Sequence, residues 1–341
     1  MKLIQFRHVD GRDRVAAVDG ESVIDLTGED GPSTVHGIYY DCGGIVDGFE
    51  TAVSKLIDGC NGPFMKLDEL LQGREGDGRP YPIKPVSGPS HDPHALRIWL
   101  AGVTHEDSAK LREIEAKQAT GDQVNVYDQK YRECANGGRP ELFSKGDPFS
   151  VVGHGQMLVR PVDTQRLVPE TELVSVYGLN QRGELERLGF TGGNDATDNG
   201  MEAANPLNLP QAKNWSVGCG SFGPILVTSS EFDDEEVTVS CEIIRDGERV
   251  GFKKGRTGQN NLNMPDGLFH MERSLFSRIP LLARQLQVLY WGTPIVFSED
   301  DLSGGLILGD LVRMTFSGIG MLENSIADLR ETNQLASLKP I

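Results

Sequence analysis

Pro169-Glu170-Thr171-Glu172-Leu173 sets two carboxylates two residues apart at the head of an apolar, β-prone run of Leu173, Val174, Val176 and Tyr177. In a strand, residues two apart share a face, so Glu170 and Glu172 project side by side. Carboxylates held together in a partly enclosed place repel one another unless a proton or a cation lies between them. On the pair alone, two exposed glutamates at a strand edge are the commoner arrangement. Gly189-Phe190-Thr191-Gly192-Gly193-Asn194-Asp195 then forms a glycine-rich approach to a third carboxylate. Backbone of this kind is used where chain must pass close to a ligand. Glu170, Glu172 and Asp195 together would make an all-oxygen site suited to Mg²⁺, Mn²⁺ or Ca²⁺ and not to zinc. The alternative for Asn194-Asp195 is an ordinary turn.

Pro140-Glu141-Leu142-Phe143-Ser144-Lys145 predicts a strand with Glu141, Phe143 and Lys145 on one face. At the surface this acid–base pair would contribute little, whereas buried near a cation Glu141 could serve as a general base. His105 is a pocket candidate, and His154, in Val-Gly-His-Gly, reads as a turn residue. Cys219 sits between glycines, where a small residue in a tight turn is a simpler reading than a nucleophile. Gly218, Gly220 and Gly223 have the GxGxxG spacing. Pro224 and Ile-Leu-Val-Thr follow as a strand, though, where the dinucleotide fingerprint requires a helix, so that function is rejected.

The elements that must carry these residues are legible in outline. Lys2–Phe6, Arg14–Val18 and Ser22–Leu26 alternate with Asp10-Gly11 and Asp19-Gly20, as in an antiparallel meander. Phe49–Ile57 and Lys66–Leu71 are helical in pattern. Residues 73–94 are dense in glycine and proline and read as a linker, so the chain divides into 1–93 and 94–341. Arg97–Val103 predicts a buried strand, and Thr104, with Asp107 three residues on, predicts a cap for a helix over Glu106–Ala119. Beyond residue 139 strands and turns dominate, at Glu141–Ser144, Gln156–Val162, Glu172–Tyr177, Pro224–Thr228, Val237–Ile244, Leu286–Tyr290 and Asp310–Phe316. The acidic run Glu231–Glu236 fits a solvated turn.

Composition narrows the function. The net charge of −17 disfavours nucleic acid and anionic membranes as partners. It also leaves open how an anionic substrate would be attracted, unless a bound cation reverses the field locally. Five scattered cysteines without a CxxC pair suggest reduced thiols and a cytoplasmic location. No stretch approaches a membrane span.

In order and spacing, GVTHEDS at 102–108, RPELFSK at 139–145, VVGHG at 151–155, VPETEL at 168–173, GFTGGND at 189–195, ANPLNLPQAK at 204–213, GSFGPILVT at 220–228, WGTP at 291–294 and GD…GIG at 309–320 resemble the fumarylacetoacetate hydrolase family. The resemblance covers roughly residues 96–325. It implies an α+β, mostly β fold: a mixed β-roll catalytic domain behind a smaller N-terminal α+β domain, assembled as a homodimer. It further implies Mg²⁺ (or Ca²⁺ or Mn²⁺) on Glu170, Glu172 and Asp195, an essential Lys213, and a substrate carboxylate at Thr293. Gly292, Ser108 and His105 are expected around the substrate.

ANPLNLPQAK and PELFSK look most like the family's 2-keto-3-deoxy sugar-acid dehydratases. The histidine with which its carbon–carbon hydrolases activate water is replaced at its position by Ser108. The implied reaction is dehydration of a 2-keto-3-deoxy sugar acid: a cation polarises the keto group, Glu141 takes the C3 proton, Lys213 stabilises the enolate and Lys145 supports Glu141. The alternatives are hydrolysis of an acylpyruvate or β-diketo acid, and a silent member that binds a sugar acid. Two segments depart from the family: 196–199, which lacks the arginine of NDVSARD, and 253–268.

Overall fold

The computed structural model describes residues 1–29, 31–60, 62–120, 126–215 and 217–328. The chain opens with β1 (Lys2–Arg7), β2 (Asp13–Asp19) and β3 (Ser22–Asp25), followed by α1 (Val35–Asp41), α2 (Val46–Asp58), β4 (Met65–Lys66), α3 (Leu67–Leu71) and β5 (Tyr81–Pro82). The expected meander is present, with the predicted Asp-Gly turns between its strands. Residues 73–94 carry little regular structure beyond β5, which pairs with β1.

Next come β6 (Leu96–Gly102), α4 (Glu106–Thr120), α5 (Val126–Ala135), β7 (Glu141–Ser144), β8 (Val151–Val152), β9 (Leu158–Arg160) and β10 (Leu167–Val168). The centre of the chain is β11 (Thr171–Leu179), β12 (Leu185–Asn194), β13 (Thr197–Asp198), α6 (Asn199–Ala204), α7 (Leu209–Lys213) and β14 (Gly220–Thr228). The last elements are β15 (Val237–Arg245), β16 (Glu248–Thr257), α8 (Gly267–Phe276), β17 (Leu286–Tyr290), β18 (Leu311–Phe316) and β19 (Gly320–Asp328).

Among the described residues, twelve strands form one mixed sheet in the order β4-β3-β2-β1-β14-β12-β11-β17-β6-β7, with β5 on β1 and β8 on β14. The β17–β6 and β14–β8 pairs are parallel. A second sheet runs β16-β15-β18-β19-β9. The N-terminal meander is joined to the rest through β1 and β14, in the register Lys2↔Val227, Leu3↔Leu226 and Ile4↔Ile225. Strands β11, β14 and β17 are buried along nearly their whole length, as strands covered on both faces must be, and they read as near-continuous apolar runs.

One apolar cluster unites Phe316, Met314 and Ile243 of the second sheet with Phe190 and Leu173 of the first. Another unites Leu3, Val15 and Phe49 with Leu226, Val288 and Leu100. The strands beyond residue 94 and the N-terminal strands therefore share core as well as sheet.

The Thr104 cap is a correction. The helix starts at Glu106 and its first turn closes from the Ala109 N–H to the His105 carbonyl, so His105 and not Thr104 stands at the capping position, while the Thr104 hydroxyl donates to the Trp291 carbonyl at 2.6 Å. The glycines before Asp195 also serve a different purpose from the one their pattern suggests. A Cβ at Gly192 would overlap the Phe316 ring, and one at Gly193 the Tyr290 ring and Val174, so they admit side-chain packing from both faces.

Candidate active site

The antiparallel ladder of β11 and β12 builds the carboxylate cluster. Thr171 pairs with Asn194 and Glu172 with Gly193, and one step beyond the strand end the Asp195 N–H donates to the Glu170 carbonyl at 3.0 Å. Glu170 thus faces Asp195 across the ladder, and Glu172 lies two residues further along the same face. The Asn194 side chain fixes this corner by accepting from the Glu170 N–H at 3.1 Å. All three acids are buried, and one oxygen of each lies within 4.8 Å of the others.

Their charges are compensated unevenly. Lys213, at the end of α7, places its ammonium 2.7 Å from Glu170 Oε2, 2.8 Å from Asp195 Oδ2 and 2.7 Å from Thr197 Oγ1. Arg112 of α4 pairs with Glu170 Oε1, and Lys145 with Asp195 Oδ1. Among the described residues, Glu172 alone of the three makes no ion pair, and it accepts the Gly292 N–H at 2.8 Å. Burial, Asp195 and Glu170 push its carboxyl well above the ordinary value. Burial also drives Glu170 upward, but Lys213 and Arg112 overcome it and hold that carboxyl below the usual range. Three buried carboxylates with one left uncompensated fit an oxygen-seeking divalent cation.

The cluster opens on a narrow cleft whose walls include Glu141, Lys213, Ser108, Gly292 and Thr293. Glu141 lies on the edge strand β7, directly opposite Gly102 of β6, whose missing Cβ leaves the space its carboxylate fills. Burial and the neighbouring Glu202 raise Glu141 to about 7, with Lys213 and Lys130 opposing. Lys213, Glu141, Ser108, Gly292 and Thr293 are therefore brought together with the triad.

Lys145 and His105 lie elsewhere. Lys145 stands just past the end of β7, fully buried behind Asp195, and donates to the Lys213 carbonyl at 2.5 Å. It faces Asp195 and not Glu141. His105 is held between the Thr104 and Thr257 hydroxyls at 2.9 and 3.1 Å, outside the cleft wall, and burial lowers it to about 4. The departing segment 253–268 packs here, supplying Thr257 and an N–H from Asn263 to the Thr104 carbonyl at 3.0 Å. The Thr293 hydroxyl donates to the Ile295 carbonyl at 2.6 Å, so it is committed to the main chain. His154 ties the Leu71 carbonyl to the Glu323 N–H. The Cys219 thiol is buried and raised, which is unsuited to a nucleophile.

Three cleft residues have no counterpart in the sequence reading: Arg112 and Tyr127 from α4 and α5, and Glu202 from α6. The missing arginine was their one signal. Its place is taken by Asn199, whose amide donates to Glu115 at 2.9 Å and accepts from Arg166. Positive charge comes instead from Arg112, which reaches Glu170, Glu115 at 2.8 Å and Glu202 at 3.5 Å.

Residues 114–327 match the family described as fumarylacetoacetate (FAA) hydrolase C-terminal, and the chain belongs to that family. It is 32% identical over 254 residues to the 2-dehydro-3-deoxy-D-arabinonate dehydratase of Saccharolobus solfataricus, covering 73% of this chain and 75% of that one. It is 34% identical over 234 residues to a protein of Haloferax volcanii named as a probable 2-keto-3-deoxyxylonate dehydratase, covering 68% and 72%. Among solved structures, the fold matches 2-keto-3-deoxy-D-arabinonate dehydratase in its apo form, with a TM-score of 0.70 at 24% identity over 96% of this chain and 99% of the other. The same enzyme complexed with magnesium and 2,5-dioxopentanoate gives 0.68 at 24% over the same shares. The fumarylacetoacetate hydrolase of Exiguobacterium antarcticum gives 0.62 at 20%, again over 96% and 99%.

Proposed function

We propose that this chain dehydrates a 2-keto-3-deoxy sugar acid with Mg²⁺ held by Glu170, Glu172 and Asp195. The observation that carries this reading is one cleft in which a buried carboxylate triad meets Glu141 and Lys213 while its described wall contains no histidine. The curated relatives are named as dehydratases of such acids, which supports it. Bound Mg²⁺ supplies Lewis-acid polarisation of a 2-keto group and positive potential in an acidic protein.

The protein's own groups do the rest. Glu141, held near neutrality, takes a C3 proton. Lys213, kept cationic by Asp195 and Glu170 against the effect of burial, faces the developing enolate oxygen. Lys145 holds Asp195 and the Lys213 backbone in place. Ser108, Gly292 and Thr293 shape the substrate's surroundings, and His105 supports the wall from behind.

Hydrolysis of a carbon–carbon bond needs a base for water, and locked His105 cannot reach the cleft in this arrangement. Incubation with Mg²⁺ and a panel of 2-keto-3-deoxy sugar acids and acylpyruvates tests the reading. A product that keeps every carbon is expected, and two carbon fragments would overturn it. We also propose a homodimer in the cytoplasm. Val250 and Phe252, exposed on the edge strand β16, support self-association, and the free cysteines suit a reducing compartment. Light scattering of the purified chain would report the mass. Among the described residues no helix is long and apolar enough to cross a membrane.

A further inference from the structure

Removing water from a sugar acid takes two proton transfers, one from C3 and one to the departing C4 oxygen, and the groups above account only for the first. Glu202 is a second buried carboxylate on the cleft wall, 4% exposed and outside the triad. It is presented by α6, whose first turn is fixed by the Asp198 side chain accepting from the Met201 N–H. Asn199 and Glu202, three residues apart on this helix, both turn inward toward α4, as neighbours on one helical face do.

The Glu202 Oε2 atom is buried and accepts no hydrogen bond, with Arg112 Nε at 3.5 Å. A buried carboxylate oxygen held by an ion pair alone, without a hydrogen bond, keeps a lone pair open toward the cleft it lines. Glu202, Glu141 and Tyr127 of α5 line the same cleft, close enough for the charge of Glu202 to raise both Glu141 and the Tyr127 hydroxyl.

We propose that Glu202 is the general acid of the reaction, delivering the proton with which the C4 hydroxyl leaves. This rests on the dehydratase reading. The C3 proton passes to Glu141, and its electron pair enters the C2–C3 bond as an enolate. That pair then forms C3=C4 as the C2 carbonyl returns. The C4–O bond breaks, and the oxygen departs as water carrying the Glu202 proton. Glu141 ends protonated and Glu202 ionised, so the pair exchanges states over the step. Two carboxylates on one cleft wall, one giving and one taking, is the division of labour that such a pair supports.

The test uses the full chain with Mg²⁺, as the unsubstituted protein and as Glu202→Gln and Glu141→Gln. Deuterium exchange at C3 of 2-keto-3,4-dideoxypentonate, which has no leaving group, reads the first transfer alone. Dehydration of 2-keto-3-deoxypentonate reads both, and loss of fluoride from its 4-deoxy-4-fluoro analogue reads elimination that needs no acid. Glu202→Gln should exchange C3 within about threefold of the unsubstituted chain and lose dehydration by about 100-fold or more, while keeping fluoride loss. Glu141→Gln should lose all three. Unchanged dehydration in Glu202→Gln overturns the proposal, as does a fall in exchange or fluoride loss as deep as that in dehydration. An unsubstituted chain silent toward all three substrates overturns the dehydratase reading itself, and this inference with it.

Discussion

Replacing Glu172 with alanine takes one carboxylate from the triad without breaking a rung of the β11–β12 ladder. The fold should hold while Mg²⁺ binding and turnover are lost. Titration calorimetry beside a thermal melt checks both, and undiminished Mg²⁺ affinity would refute the ligand assignment. Glu141 makes a prediction in pH. A base must be ionised, so with burial and Glu202 holding it at about 7, against Lys213 and Lys130, the rate should climb as pH rises through about 7. Glu141→Gln should remove that limb and lower kcat by about 100-fold or more, read from the pH–rate profile. Stability runs in the opposite sense. The folded chain holds this proton more tightly than the unfolded one, so the contribution is complete below the ordinary carboxylate range and is lost as pH rises through about 7. The clustering of the three acids was legible only through their place in an ordered series of motifs, since Glu170 and Glu172 alone fit an exposed strand edge and Asn194-Asp195 an ordinary turn. Arg112 and Glu202 were not, since an inward-turned charge on a polar helix looks like a solvated one until tertiary packing decides.

At the scale of elements, the close approach of the two sheets behind Asp195 depends on residues without side chains. Gly192→Ala would drive a methyl group into the Phe316 ring. It should cost about 1–3 kcal/mol by overpacking, measurable by urea denaturation, and should weaken Mg²⁺ binding by displacing Asp195. Strands with apolar alternation or Asp-Gly punctuation, such as β1, β2, β15 and β17, were readable from pattern. β12 was hidden because Glu186, Arg187 and three glycines run against strand propensity, and β16 because its lysines and arginines face outward from a sheet edge. Thr104 had the sequence of a cap, but the helix begins one residue too late for it, at Glu106, and the threonine hydroxyl instead ties the approach to α4 to the exit of β17 through the Trp291 carbonyl.

For the whole molecule, we keep a division near residue 93 as a proposal about chain organisation, with 1–93 an addition to the catalytic portion. Residues 329–341 lie outside the described residues. Because β1 is hydrogen-bonded to β14 and Leu3, Val15 and Phe49 lie in one cluster with Leu226 and Val288, the two portions should melt together. Deleting 1–93 would strip β14 of its β1 partner and bare that cluster, so the remainder should fail to accumulate as soluble, folded protein. A soluble fragment with a cooperative transition would show the catalytic portion to be self-sufficient. The fold class was legible at this scale, whereas the fusion of both portions into one sheet was not, because strand partners distant in sequence leave no local trace.

The strand that carries Glu141 is the last in its sheet, held by β6 alone among the described strands. Side chains alternate between faces with a period of two, so the phase of this strand decides whether its carboxylate meets the cleft or turns its back on it. One residue gained or lost between Gly137 and Pro140 could let the strand slide by a single step. Every side chain of the site would still be encoded, and an inventory of residues would pass such a protein as intact. Its chemistry would nonetheless be silent, because the alignment of an outermost strand with its neighbour is information that no roster of residues contains.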